Sequence, residues 1–286
     1  YEQFIPGLLL LILLGFLLSF TIKQGRNRVF QNFTPLVFLS VSLIATFSIW
    51  LAVSSIINRQ VNTLFETETS EIENTLESKM EIYANLLRSG EGLFNASTTV
   101  TESEWNEFTD GLRLQQNYPG VQDFGFVFKE ESSGIYTNNI YYEEAIRAAI
   151  GENNINETLT ISGRVNLITA DETKSGFLMY LPVYKQNEPD NILGYIYGLF
   201  FMDNFIRSSL NISDFNIDFE IYDSEPEAEL TEENKFFDSN PSHLHSHTNL
   251  DNRLRKIKNL NIYNNNWIVE FLAPLGYVEH GTQALI

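Results

Sequence analysis

Three histidines at alternate positions, His243, His245 and His247, are the residues of this chain best spaced to ligate a metal. On a strand they would present three imidazoles to one side, a possible metal site. Their neighbours are acidic or are Asn and Ser, and such a stretch reads as a loop that sets its own side-chain directions. No metal or other cofactor is therefore expected. The 286 residues include no cysteine, which removes thiolate chemistry and disulfides. No Gly-rich phosphate loop, nucleophile elbow or His-Glu-x-x-His pattern occurs, so the chain itself is not expected to be an enzyme. A formal net charge of −19 argues against nucleic acid as a partner.

The other residues with chemical potential are aromatic. Gly176–Tyr184 and Leu193–Phe201 are apolar, aromatic-rich runs on either side of a polar break, the pattern of two antiparallel strands. Tyr118–Phe128 reads as a turn feeding a third strand, with Phe124, Phe126 and Phe128 on one face. Together these predict the centre of a small sheet. Tyr180, Tyr184, Tyr195 and Tyr197 alternate in the same way, and such alternation fills a core in the first instance.

The elements that must position these residues begin at a membrane. Residues 4–22 and 34–57 are uncharged and close to the ~20 residues a span requires. The loop between them holds Lys23, Arg26 and Arg28 and no acid, which places it in the cytoplasm. Of the 18 basic and 37 acidic residues, four and one lie at or before Arg59, which leaves 14 against 36 beyond it. So acidic a region suits the outer side of a membrane. The predicted localisation is a multi-pass cell-membrane protein with the chain after about residue 58 extracytoplasmic.

Ile57, Val61, Leu64, Ile72, Leu76, Met80, Tyr83 and Leu87 recur at mostly three- and four-residue spacing, which predicts a stalk helix over 59–89. Glu68 interrupts the stripe. One use for it is packing on the helix's own domain; another is a parallel homodimer seam. Gly90–Val100 is expected to break the helix. Thr101 and Glu104 form a capping box that opens the next one. Tyr142–Ile150 and Met202–Leu210 read as helices, and Leu159–Ile168 and Phe215–Tyr222 as strands. Asp223–Asp251 is polar and acidic and reads as a long loop. Asn259–Tyr263 and Trp267–Leu272 are expected to be strands joined by a turn at Asn264–Asn266. Strands separated by helices and loops predict an α+β fold with antiparallel sheets.

In order and spacing, several short motifs resemble the CHASE domain, the extracellular sensory domain of membrane histidine kinases and nucleotide cyclases. They are the helix-break-helix Tyr83–Leu114, the Tyr118–Gln122 turn, the Phe124–Phe126 strand, Ala145–Gly151, Leu159–Ser162, Tyr180–Tyr184, Gly194–Phe200 and Phe219–Asp223. The resemblance covers about Asn62–Pro274. It implies tandem PAS-like lobes carried on the stalk helix, at 90–200 (membrane-distal) and 201–275 (membrane-proximal). Residues 276–286 would then be an exit segment towards a further membrane helix. The resemblance also implies a small-molecule ligand in the distal lobe, with Thr160 and Tyr180 lining its pocket. Strand alternation adds Phe126 to the same pocket. No acid stands between Asn138 and Tyr142, where the family's adenine-reading carboxylate would fall, so the ligand is expected to be neutral or weakly polar. The resulting expectation is a ligand-sensing module of a transmembrane receptor whose output domain lies outside this chain. The alternative is a membrane-anchored adhesion or structural protein that uses the domain as a spacer.

Overall fold

The computed structural model describes residues 34–130, 134–137, 142–152, 158–168, 173–186, 188–241, 253–274 and 277. The proposed span at 4–22, the basic loop, the three histidines and most of 276–286 lie outside the described residues.

The first described element is one helix, α1 (Thr34–Ala96). Its early part is apolar, and Phe38, Leu43, Phe47, Trp50 and Ile56 are all exposed. Among the described residues this is the one helix long and apolar enough to cross a membrane.

The chain divides into two compact units, and the larger is Phe65–Leu275. Within it the apolar stripe of α1 is not a seam open to a second copy. Ile72, Leu76, Met80, Tyr83 and Leu87 are buried against the chain itself. Glu68 belongs to the same buried face because its Oε1 accepts from the Asn216 side chain at 3.0 Å. The helix also does not break at Gly90. A side chain there would crowd Ile196 at 3.2 Å and touch Phe124 at 3.5 Å, so glycine lets the sheet approach the helix closely. Four residues on, Phe94 packs against Phe126 with tilted rings, centroids 4.2 Å apart. Tertiary packing thus outweighs glycine's modest helix penalty of about 1 kcal/mol.

Next come α2 (Glu102–Leu112), opened by the predicted capping box, and the short α3 (Leu114–Asn117). They are followed by β1 (Val121–Phe128), β2 (Ile135–Tyr136), α4 (Glu143–Glu152), β3 (Thr160–Ile161), β4 (Val165–Ile168), β5 (Thr173–Lys185) and β6 (Glu188–Phe201). These strands form an antiparallel sheet in the order β2-β1-β6-β5-β3, with β4 also on β5. The β5–β6 hairpin is its centre, as the aromatic runs predict. The expected single strand over Leu159–Ile168 is two short ones, split where the Ser162 hydroxyl accepts from the Leu178 amide.

Helix α5 (Met202–Ser209) leads to a second antiparallel sheet, ordered β8-β7-β10-β9. Its strands are β7 (Asp218–Asp223), β8 (Lys235–Asp238), β9 (Arg255–Ile262) and β10 (Asn265–Leu272). Strand β8 lies inside the stretch expected to be loop; Phe236 and Phe237 supply its burial. The β9–β10 turn falls at Tyr263 and Asn264, both at positive φ, one residue earlier than expected. Two left-handed central residues make the type I′ geometry that matches strand twist.

Helix α1 serves both sheets in succession. Lys256 pairs with Glu66, Lys258 reaches Glu73 at 3.5 Å, and Tyr263 donates to Glu81, all on the four-stranded sheet. Further along, Tyr83 packs on Phe200 at 4.8 Å and donates to the Pro119 carbonyl.

Candidate functional site

The six-stranded sheet has two different faces. One packs on α1 and α2. There Phe126 sits among Phe94, Trp105, Phe128 and Tyr136, wholly buried. The other face meets α4 and carries Val127, Leu178, Tyr180, Tyr197 and Leu199 against Ile146, Ala149 and Ile150.

Strand register decides who lies where. Thr160 pairs directly with Tyr180, and Tyr180 with Tyr197, so these three share the α4 face. Phe126 pairs with Ile196, the neighbour of Tyr197, and therefore points the other way. The structure brings Thr160 and Tyr180 together, as expected, and places Phe126 across the sheet from them. Phe126 is a core residue between sheet and helices, and does not share a cavity with the other two.

Thr160 is buried, and its hydroxyl donates to the Thr158 carbonyl at 3.0 Å. The Tyr180 ring meets Tyr195 edge-on, with centroids 6.0 Å apart. Burial pushes the Tyr195 hydroxyl above its ordinary range.

A carboxylate lies on this face that the sequence reading passed over. Asp123 is buried on β1, next to a bulge around Gln122. Its Oδ2 accepts from Thr137 Oγ1 at 2.6 Å and from the Tyr197 hydroxyl at 2.9 Å. Its Oδ1 accepts from the Phe124 amide at 3.0 Å. Burial drives its pKa up, and these three hydrogen bonds pull back only part of the way. Tyr197 is raised further, first by burial and then by the Asp123 charge.

Gly125 makes this arrangement fit. A Cβ there would stand 2.4 Å from the Tyr197 hydroxyl and 2.5 Å from the Tyr136 carbonyl. Arg147, the guanidinium on α4, is engaged elsewhere: with Glu143 at 2.9 Å and with the carbonyls of Phe128 and Gly134. The one sequence signal for Asp123 was an acid interrupting an otherwise apolar and aromatic strand.

Asp123 also forms part of the wall of a groove of about 630 Å³ between β1 and the α2–α3 segment. Thr109, Asp110, Arg113, Gln116 and Gln122 line it as well. Among the described residues no group of three or more His, Cys, Asp or Glu is placed to hold a metal ion. The groove has the means to bind a small polar molecule, with Asp110, Arg113, Gln116, Gln122 and Asp123 on its wall; Thr160, Tyr180 and Tyr197 do not line it.

Residues 128–234 match the family model of the CHASE domain. No curated protein matches the sequence. The periplasmic sensory domain of the Campylobacter jejuni chemoreceptor Tlp1 aligns with a TM-score of 0.52 at 11% identity, over 78% of this chain and 98% of that one. The ligand-binding domain of the Pseudomonas aeruginosa PAO1 amino acid chemoreceptor PctC, in complex with GABA, gives 0.48 at 12% identity, over 74% and 98%. The ligand-binding domain of Mlp24 with asparagine gives 0.47 at 15% identity, over 80% and 98%. The similarity to the Tlp1 domain shows the fold: a long N-terminal helix with antiparallel sheets, as in periplasmic sensory domains.

Proposed function

We propose that this chain, which carries a CHASE domain over residues 128–234, is the extracytoplasmic ligand-sensing part of a transmembrane signalling receptor. The output domain, of histidine kinase or nucleotide cyclase type, lies outside it. The ligand is a small molecule held on the α4 face of the six-stranded sheet, in contact with Thr160, Tyr180 and the Asp123–Tyr197 pair. The observation that carries this reading is the set of buried polar groups on an otherwise apolar face: Thr160, the Tyr180 hydroxyl and the Asp123–Tyr197 pair. A sheet whose only task is to pack would fill it with apolar side chains, because each buried hydroxyl or carboxylate must recover its hydration in hydrogen bonds.

The apolar start of α1 is the membrane segment in this reading, and α1 conveys the bound state towards it. The contacts of α1 support the direction. Glu66, Glu73 and Glu81 engage the four-stranded sheet, and Tyr83 and Phe94 engage the six-stranded one. The four-stranded sheet thus meets the earlier part of α1 within Phe65–Leu275 and the six-stranded sheet the later part. Ligand binding biases one of two arrangements of the six-stranded lobe on the helix. Pairing with a second copy would use the outward side of α1, which includes the exposed Ile82, and not the buried stripe.

The test is a thermal-shift screen of the full chain in nanodiscs against a library of small metabolites, repeated with Thr160→Ile. That substitution fills the site beside Tyr180. A stabilising metabolite whose effect is lost in Thr160→Ile supports the reading. A library with no stabilising member, or one whose hits ignore the substitution, overturns it and favours a spacer role.

A further inference from the structure

We propose that Tyr263 is a relay: its backbone follows the position of strand β3, and its hydroxyl passes that position to α1. This rests on the sensory reading above and adds the residue through which the state of the Thr160–Tyr180 face reaches the helix.

Strand β3 ends the six-stranded order, and its two residues bond in two directions. On one side Thr160 pairs with Tyr180 and Ile161 with Met179, both on β5. On the other side the Ile161 amide donates to the Tyr263 carbonyl at 3.1 Å. The next two residues hold the same segment. The Asn264 side chain reaches Thr158 Oγ1 at 3.4 Å, and the Asn265 side chain donates to the Ser162 carbonyl at 2.9 Å. Three successive residues at the β9–β10 turn thus grip residues 158–162, with Thr160 in the middle. A further clasp lies just beyond, where the Arg164 amide donates to Asp223 Oδ2 at 2.6 Å. A ligand that displaces Thr160 must therefore move the turn or break these bonds.

The other end of Tyr263 meets the helix. Its hydroxyl donates to Glu81 Oε2 on α1. Glu81 also accepts from Arg88 Nη1 at 2.9 Å, two turns along the same helix. The Tyr263 bond, then the Arg88 bond, holds the Glu81 carboxyl below its ordinary range. Burial, then the bond to Glu81, pushes the Tyr263 hydroxyl up to about 12. The backbone singles out the same residue. Tyr263 stands at φ 46°, the first central position of a type I′ turn, which Asn, Asp or Gly fills with least strain. A bulky side chain persists in the left-handed region where its surroundings fix it, and such outliers gather at switch regions. The direct contacts of the six-stranded sheet with α1 run through Ile196, Phe200 and Phe126, which lie on the face opposite Thr160. Tyr263 instead joins the strand of Thr160 itself to the helix.

The experiment is a double-mutant cycle on the full chain in nanodiscs, read by hydrogen exchange with mass spectrometry and without any ligand. Thr160→Ile crowds the α4 face beside Tyr180 and is the disturbance. Thr160→Ser, which removes one methyl there, takes its place if the larger side chain prevents folding. Each is combined with Tyr263→Phe, which keeps the ring and the backbone bond to Ile161 and deletes the hydroxyl. With Tyr263 intact, the change at Thr160 is expected to shift exchange of the α1 amides around Glu81 by roughly twofold to thirtyfold, the span of couplings between linked sites. In Tyr263→Phe the shift is expected to vanish from α1 and to persist at the β9–β10 turn. An α1 shift of equal size in both backgrounds overturns the proposal. So does a helix that ignores both changes at Thr160. A metabolite from the thermal-shift screen that alters α1 exchange equally with and without the Tyr263 hydroxyl removes the relay and leaves the sensory reading standing. A screen without hits removes the sensory reading, while the cycle still decides the relay.

Discussion

The Tyr197 hydroxyl donates to Asp123 Oδ2 at 2.9 Å, across the space left by the missing side chain of Gly125. Two strands thereby share one buried charge. The contact ties β1 to β6 by side chains where backbone pairing already joins Gly125 to Tyr197.

Gly125→Ala tests that closeness. The new methyl meets the Tyr197 hydroxyl at 2.4 Å and, on the other side, the Tyr136 carbonyl, which is backbone and yields little. Overpacking of this kind costs about 1–3 kcal/mol. Urea unfolding should show that loss, and Gly92→Ala, with open space around its position, should not.

Asp123 sets a pH dependence with a definite sign. Its carboxyl has an ordinary value of 3.8 when exposed and a higher one in the fold. Below 3.8 both states are protonated and the group contributes nothing. As pH rises from there through the folded value, the unfolded chain loses the proton first, so stability falls; above the folded value the penalty is complete. Asp123→Asn should therefore melt higher than wild type at neutral pH, and the gap should close as pH drops towards 3.8. A gap that widens on acidification would reverse the sign of the burial effect.

The α1 stripe gives a third test. Leu76 is fully buried, and Leu76→Ala should cost about 2–5 kcal/mol by chemical denaturation. Single cysteines at Ile72 or Leu76, being internal, should crosslink two copies less readily than cysteines at the exposed Glu71 or Asn74. Faster crosslinking at the buried pair would restore the seam.

The β9–β10 turn offers a fourth. Tyr263 and Asn264 both hold positive φ, at 46° and 67°. Asn264→Gly should leave the melting temperature within the effect of about 1 kcal/mol, while Asn264→Val should cost about 1–3 kcal/mol, because a β-branched residue resists the left-handed region.

What local spacing governs was legible in the sequence. The β5–β6 hairpin follows from two aromatic runs around a polar break, and the α2 start from Thr101 and Glu104, which cap each other across one turn. The apolar stripe from Ile57 to Leu87 marked a helix, since its period belongs to the helix itself. Its partner did not follow, because period says which residues share a face and not what covers them. Register was equally out of reach. Phe126 and Tyr180 looked alike as alternating aromatics, yet pairing with Ile196 and Tyr197 sends them to opposite faces of one sheet. Gly90 read as a helix break because glycine is poor in an isolated helix; in the fold its bareness lets Ile196 approach α1. Asp123 read as one more acid in an acidic chain. Only the tertiary structure buries it and places Gly125 beneath the Tyr197 hydroxyl, because burial depends on residues far apart in sequence.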